Sequence, residues 1–316
     1  MDSPPSHSLL TYLRLKIFAT IARLLTSLVA RIPTPRPSKS ITLKSRSNHE
    51  IKANIYNSKR FPPTPGKPHP VLLNWHGSGF MMPLHGQDEH FCKLIAEKTD
   101  YTVIDLNYRL APENPFPAGL DDVRDAIAYV LAYPEIFDPS RIALSGFSAG
   151  AGLLLAACGL LPPHAEDGKC IGNLVEKIVA VYPPADLSKK PGAKRAPEGG
   201  QGTIPPWLGR IFNDAYMPPG VNRQDPRVSP TYIDAEKLPE SIFFITCGKD
   251  NLAWEAEKMV TRIKDERKGR TGDVSFRRFD GVHHGWDKNP KKGSEDEKKR
   301  DEAYSLVVDF LNRKAG

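Results

Sequence analysis

The sequence predicts an α/β protein, a mostly parallel eight-stranded sheet flanked by helices, and three observations carry that prediction. Short apolar runs rich in Val, Ile and Phe alternate with amphipathic stretches of helical period along most of the chain. A Gly-x-Ser-x-Gly pentapeptide, Gly146 to Gly150, stands between one such run and an apolar helical stretch. The 316 residues, 40% hydrophobic and 26% charged, are long enough and ordinary enough in composition to bury a sizeable core.

The first element is a helix over 9–31, because Leu10, Leu13, Ile17, Ile21, Leu24 and Leu28 recur at three- and four-residue intervals. Pro33, Pro35 and Pro37 end it. Arg14, Lys16 and Arg23 interrupt the apolar run before it reaches the roughly 20 residues a spanning helix needs, so the helix packs on the protein or rests weakly against a membrane surface. Those basic residues lie inside the apolar run, unlike a secretory signal, and no Asn-x-Ser/Thr sequon occurs. The expectation is a cytoplasmic protein, with mitochondrial targeting a minor alternative suggested by the acid-poor start. The four cysteines are widely spaced and read as reduced thiols.

Strands follow near 41–45, 50–57, 71–75, 101–107, 141–145, 177–182, 241–247 and 273–279, with helices at about 87–98, 119–133, 149–161, 252–267 and 299–312. About 55 residues separate Tyr182 from Ser241, too many for an ordinary connection, so an inserted subdomain is expected there. Its Gly-, Pro- and Lys-rich first part, Ser188 to Thr203, reads as mobile, and 206–212 as a short helix with an apolar face. The run from Lys288 to Glu302 mixes both charge signs and reads as a solvated loop and helix start.

The net charge of +7 suggests a nucleic-acid partner until it is divided along the chain. Residues 1–49 hold eight Lys/Arg against Asp2 alone, while the remainder balances 36 against 36. The main body therefore lacks an electrostatic footprint for nucleic acid.

In Gly146-Phe-Ser-Ala-Gly150 the strand-turn-helix context marks a nucleophile elbow, whose tight turn demands small residues beside Ser148. A serine hydroxyl is a poor nucleophile at neutral pH, so it needs a general base and a group to orient that base. Asp250 follows directly on an apolar strand, and His283 and His284 follow the next, in the chain order nucleophile, acid, histidine. Spacing alone leaves the base open between the two histidines. Upstream, the strand ending in Asn74-Trp75 runs into His76-Gly-Ser-Gly-Phe80, a loop able to aim the amides of Gly77 and Ser78, with that of Ala149, at an oxyanion. No nucleotide loop or metal-ligand cluster accompanies these residues, so no cofactor and no metal is expected.

Four segments together resemble the hormone-sensitive-lipase-like family of α/β-hydrolase serine esterases across nearly the whole chain. They are His76-Gly-Ser-Gly-Phe80, Tyr108-Arg-Leu-Ala-Pro-Glu113, Gly146-Phe-Ser-Ala-Gly150 and His284-Gly-Trp286; Asp225-Pro-Arg-Val-Ser-Pro230 adds a fifth likeness. The resemblance implies an α/β-hydrolase fold with Ser148, Asp250 and His284 as triad, because the family's base precedes Gly and an aromatic residue. It also implies a helical cap from about 1–40 and 186–228, on a core of about 41–185 and 229–316. The implied activity is hydrolysis of small or medium apolar esters through an acyl-enzyme. The alternatives are a specialised hydrolase of a natural-product ester, lactone or amide and, from a different class, a non-catalytic receptor on the same fold.

Three departures from the family pattern bear on substrate range. Ser78 stands where Gly is usual and is expected to narrow the acyl site, Phe147 replaces an acidic residue, and the acid loop reads Lys-Asp-Asn-Leu-Ala-Trp254. The substrate pocket is expected to be lined by Phe80, Met81, Met82, Phe147, Trp207, Phe212 and Trp286.

Overall fold

The computed structural model describes residues 7–29, 35–162, 168–269 and 272–313. In chain order the elements are α1 (Leu9–Val29), β1 (Lys39–Lys44), β2 (Glu50–Tyr56), β3 (His69–Trp75), α2 (Glu89–Lys98), β4 (Thr102–Leu106), α3 (Ala118–Leu131) and β5 (Phe137–Phe147). Then come α4 (Ala149–Cys158), β6 (Lys177–Val181), α5 (Pro206–Tyr216), β7 (Ser241–Cys247), α6 (Ala253–Glu266), β8 (Val274–Phe279) and α7 (Glu295–Asn312). The strands form one eight-stranded sheet in the order β1-β2-β4-β3-β5-β6-β7-β8. The β1–β2 and β2–β4 pairs are antiparallel and every later pair is parallel, so this is an α/β-hydrolase sheet.

Alternation along the central strands explains how both faces are covered. Val71, Leu73, Ile142, Leu144, Ile178 and Phe244 point into one core with α3, α4 and α6. Leu72, Val103, Ala143, Val179 and Ile245 point the other way, into a core with Phe91 of α2 and Phe310 of α7. Burial of each large side chain contributes about 1.5–3 kcal/mol, which is why these strands read as near-continuous apolar runs.

The strands lie within a few residues of their expected places; β5 begins at Phe137, where it meets His69. Helix α4 stops at Cys158, short of the expected Leu161. The last helix starts earlier, at Glu295, where Ser294 caps it by accepting from the Glu297 amide at 3.2 Å. Arg31 and Pro33, at the expected end of the first helix, lie outside the described residues.

The insertion between β6 and β7 contributes α5, which rests against α1: Phe18 meets the Trp207 ring edge-to-face at 6.4 Å. Its first part, expected to be mobile, is tied down at several points. Lys194 is buried and paired with Glu255 at 2.6 Å, Glu198 accepts from the Gly281 amide, and Thr203 donates to the Lys249 carbonyl at 3.0 Å. Charged and polar side chains bonded to the core, which composition cannot reveal, decide its order.

Candidate active site

The turn between β5 and α4 is constrained by what surrounds it. A Cβ on Gly150 would lie 2.3 Å from the Trp75 carbonyl oxygen, and one on Gly146 would lie 2.8 Å from the Ala151 backbone nitrogen, so both positions require glycine. Between them Ser148 adopts φ 48° and ψ −119°, a conformation that costs a non-glycine residue on the order of 1–3 kcal/mol. Its amide donates to Val181 O and its carbonyl accepts from Gly152 N, both at 2.9 Å, which holds the strained backbone in place.

The loops after β7 and β8 bring Asp250 and His284 to this serine. The buried Asp250 accepts from the Leu252 amide at 3.0 Å through Oδ1 and from His284 Nδ1 at 2.7 Å through Oδ2. A carboxylate can only accept, so the imidazole carries its proton on Nδ1 and turns the Nε2 lone pair toward Ser148 Oγ, 2.8 Å away. His283, the alternative left open by spacing, has its Nδ1 3.2 Å from Thr203 Oγ1 instead.

Three residues outside the sequence-derived set position this histidine. Thr203 accepts from the His284 amide at 3.1 Å while donating to Lys249, joining the inserted segment to both functional loops. Tyr182 places its ring 4.5 Å from the imidazole and donates to Asp287 at 2.7 Å. Asp287 also accepts from Tyr304 at 2.7 Å. Lys288, read as part of a solvated run, is instead half-buried: its ammonium donates to Asp88 at 2.6 Å and lies 3.1 Å from the centre of the Phe147 ring. Burial disfavours its charged form, but Asp287 and Asp88 more than offset that and raise its pKa.

The loop after β3 lies beside the serine. Among the described residues, the amides of Gly77 and Ser78 find no acceptor within the protein, although both residues are buried. Adjacent unpaired buried N–H groups are rare and need a partner of another kind. The Ala149 amide, at the first position of α4, likewise lacks an intrahelical acceptor. Tyr108 holds this loop: its hydroxyl donates to His76 O at 2.9 Å and accepts from Ser78 Oγ at 2.6 Å. The Ser78 hydroxyl is thus engaged by Tyr108 rather than free to narrow the pocket.

Two cavities meet at Ser148. The smaller, about 50 Å³, is bounded by Phe80, Pro184, Leu187, Phe212 and Leu252. The larger, about 240 Å³, is bounded by Met82, Leu84, Tyr182, Phe212 and His284. Of the expected lining residues, Phe80, Met82 and Phe212 face these spaces. The other four do not. Met81 is fully buried with Leu15 and Ala19 of α1, and Phe147 packs edge-on against Phe91 beneath the elbow. Trp286 stacks on Phe279, and Trp207 is 53% exposed on the outside of α5. Alternation about the elbow and helix phase decide these orientations, and residue type does not encode them.

The family model described as alpha/beta hydrolase fold matches residues 72–288. The chain belongs to the hormone-sensitive-lipase-like alpha/beta hydrolases. It is 29% identical over 243 residues to FAD-linked oxidoreductase pytB of Aspergillus terreus, covering 75% of this chain and 28% of that protein. It is 32% identical over 108 residues to carboxylic ester hydrolase LipN of Mycobacterium tuberculosis, covering 33% of this chain and 28% of that protein. Each match thus spans well under two thirds of the relative's length. Among solved structures, an alpha/beta hydrolase enzyme from the metagenome of Lake Arreo, Spain, superposes with a TM-score of 0.77 at 25% identity, covering 93% of this chain and 90% of that one.

Proposed function

We propose that this member of the family is a serine carboxylic-ester hydrolase with Ser148 as nucleophile, His284 as general base and acid, and Asp250 as the orienting carboxylate. The observation that carries the reading is the continuous line of hydrogen bonds from Ser148 Oγ through His284 to Asp250, at 2.8 and 2.7 Å, beside two unpaired amides. The likeness to a carboxylic ester hydrolase supports it from an independent side.

In the proposed reaction His284 Nε2 takes the Ser148 proton as Oγ bonds to the ester carbonyl carbon, and Asp250 stabilises the imidazolium. The carbonyl oxygen becomes an oxyanion held by the amides of Gly77, Ser78 and Ala149. His284 then passes its proton to the leaving alkoxide, the C–O bond breaks, and an acyl-serine remains. Water, deprotonated by the same histidine, releases the acid and restores Ser148.

The position of the base orients the substrate. The leaving oxygen must reach His284 Nε2, so the alcohol occupies the larger cavity, which His284 bounds, and the acyl chain occupies the smaller one. The acyl side is the narrower of the two, so short acyl groups are favoured, carried on a bulkier apolar alcohol. Helices α1 and α5 and the segment around 186–228 act as the cap that closes over this alcohol.

The test is hydrolysis of p-nitrophenyl acetate, butyrate, octanoate and palmitate by wild type and by Ser148→Ala. Activity falling steeply beyond butyrate and reduced by several orders of magnitude in the variant is expected. Equal activity in the variant overturns the assignment of Ser148. Absence of turnover together with absence of fluorophosphonate labelling at Ser148 overturns the esterase reading.

A further inference from the structure

The outer face of α1 is apolar without being used by the fold. Eight leucine and isoleucine residues between Leu9 and Leu28 are exposed, from 46% at Leu13 to 74% at Leu9 and Leu28. They are half of the sixteen large hydrophobic residues exposed among the described residues. Leu13, Ile17, Ile21, Leu24 and Leu28 follow one another at helical spacing and form a continuous stripe. The opposite face alone attaches the helix: Leu15 and Ala19 are buried, and Arg23 and Lys16 bind Glu113. Polar residues on the outer stripe would leave that attachment intact, so its hydrophobicity serves something outside the chain.

Charge identifies what covers it. Helix α1 contains no acidic residue and carries Arg14 exposed, while its other two cations, Lys16 and Arg23, are paired with Glu113. A second copy placed on this face would bring like charge against like charge, whereas an anionic headgroup layer offers the opposite sign. Trp207, exposed beside Phe18 at the rim, is the residue type that settles at the water–lipid boundary. Among the described residues no helix is long and apolar enough to cross a membrane, so an in-plane contact is the geometry available.

We propose that α1 docks the protein on an anionic phospholipid bilayer surface, lying in the plane of the interface with the Leu13–Leu28 stripe immersed. The buried face of α1 packs in one cluster with Met82 and Phe212, which bound the larger cavity, so docking brings that cavity next to the lipid.

Flotation of the full chain with vesicles of phosphatidylcholine alone, and of phosphatidylcholine with phosphatidylserine, tests this. Wild type is expected to float with the phosphatidylserine vesicles, less so in high salt. The variant carrying Leu13→Ser, Ile17→Ser and Leu24→Ser is expected to float at least about tenfold less while melting near the wild-type temperature. Arg14→Glu, an exposed substitution that leaves the packed face untouched, should weaken flotation several-fold and keeps the test decisive if the triple variant is unstable. Equal flotation with neutral vesicles, no flotation, or flotation unchanged in both variants overturns the proposal. A wild-type dimer in sedimentation that the triple variant dissolves, without vesicle binding, assigns the face to a second copy instead.

Discussion

Tyr108→Phe removes one oxygen from the interior and asks how much the loop beside Ser148 depends on it. The hydroxyl donates to His76 O at 2.9 Å and accepts from Ser78 Oγ at 2.6 Å, and all three residues are buried. Removing it strands a carbonyl and a hydroxyl away from water, at about 1–3 kcal/mol each, or roughly 2–6 kcal/mol together. At about 2.1 cal/mol/K of unfolding entropy per residue, a chain of this length loses roughly 1.5 °C of melting temperature per kcal/mol, so a fall of about 3–9 °C is expected. Ser78→Ala is the control. It removes one partner but leaves Tyr108 donating to His76, so the cost is about 0.5–1.5 kcal/mol and a fall of roughly 1–2 °C. On the proposed mechanism the stranded Ser78 hydroxyl seeks a new partner and pulls its own amide out of line, lowering kcat about ten- to a hundredfold with little change in KM. Calorimetry and steady-state kinetics on p-nitrophenyl butyrate measure both effects. A Tyr108→Phe variant melting within about 1 °C of wild type and turning over within about twofold of it would refute the reasoning.

Three further outcomes follow from the same geometry. Asp250→Asn keeps the shape of the site but no longer selects the Nδ1-protonated imidazole, so kcat should fall on the order of 10⁴-fold with KM nearly unchanged; a loss below about tenfold would remove Asp250 from the mechanism. Thr203→Val frees the His284 amide, while the Lys249 carbonyl keeps its bond from the backbone N–H of residue 203, and a kcat loss with a smaller change in KM, in a protein of near-normal melting temperature, is expected. Glu113 is opposed by burial but held down to about 2, from an ordinary 4.5, by the Arg23 and Lys16 bonds. Its folded value is depressed, so its contribution is present above pH 4.5 and is lost as the pH falls toward 2. The melting-temperature gap between wild type and Glu113→Gln should therefore be widest at neutral pH and close across that window, and a gap independent of pH would contradict the assignment.

The Tyr108–Glu113 segment shows what residue order conveys and what it does not. Its likeness to a family motif is visible in the sequence, but its work is distributed over three places. Tyr108 holds the loop after β3, Arg109 binds Asp122 of α3 at 2.8 Å, and Glu113 anchors α1. The partners lie 13, 32 and 90 residues away along the chain, beyond the reach of a local pattern. The same holds for Thr203, a threonine in a Gly- and Pro-rich stretch with no local signal, which becomes a hinge point of the site only because the insertion folds back over β7 and β8.

The sequence by itself determined the alternation of strands and helices, the elbow around Ser148, and the chain order that places Asp250 and His284 after successive strands. These depend on periodicity, on glycine where a Cβ cannot fit, and on residue chemistry, all local properties. Tertiary structure alone decided which aromatic and methionine side chains reach the cavities, that Lys288 turns inward onto Asp88 and Phe147, and which face of α1 remains open. Those outcomes rest on helix phase, sheet twist and contacts between residues far apart in the chain, where a packed interior admits one arrangement among many that the same residue types would allow.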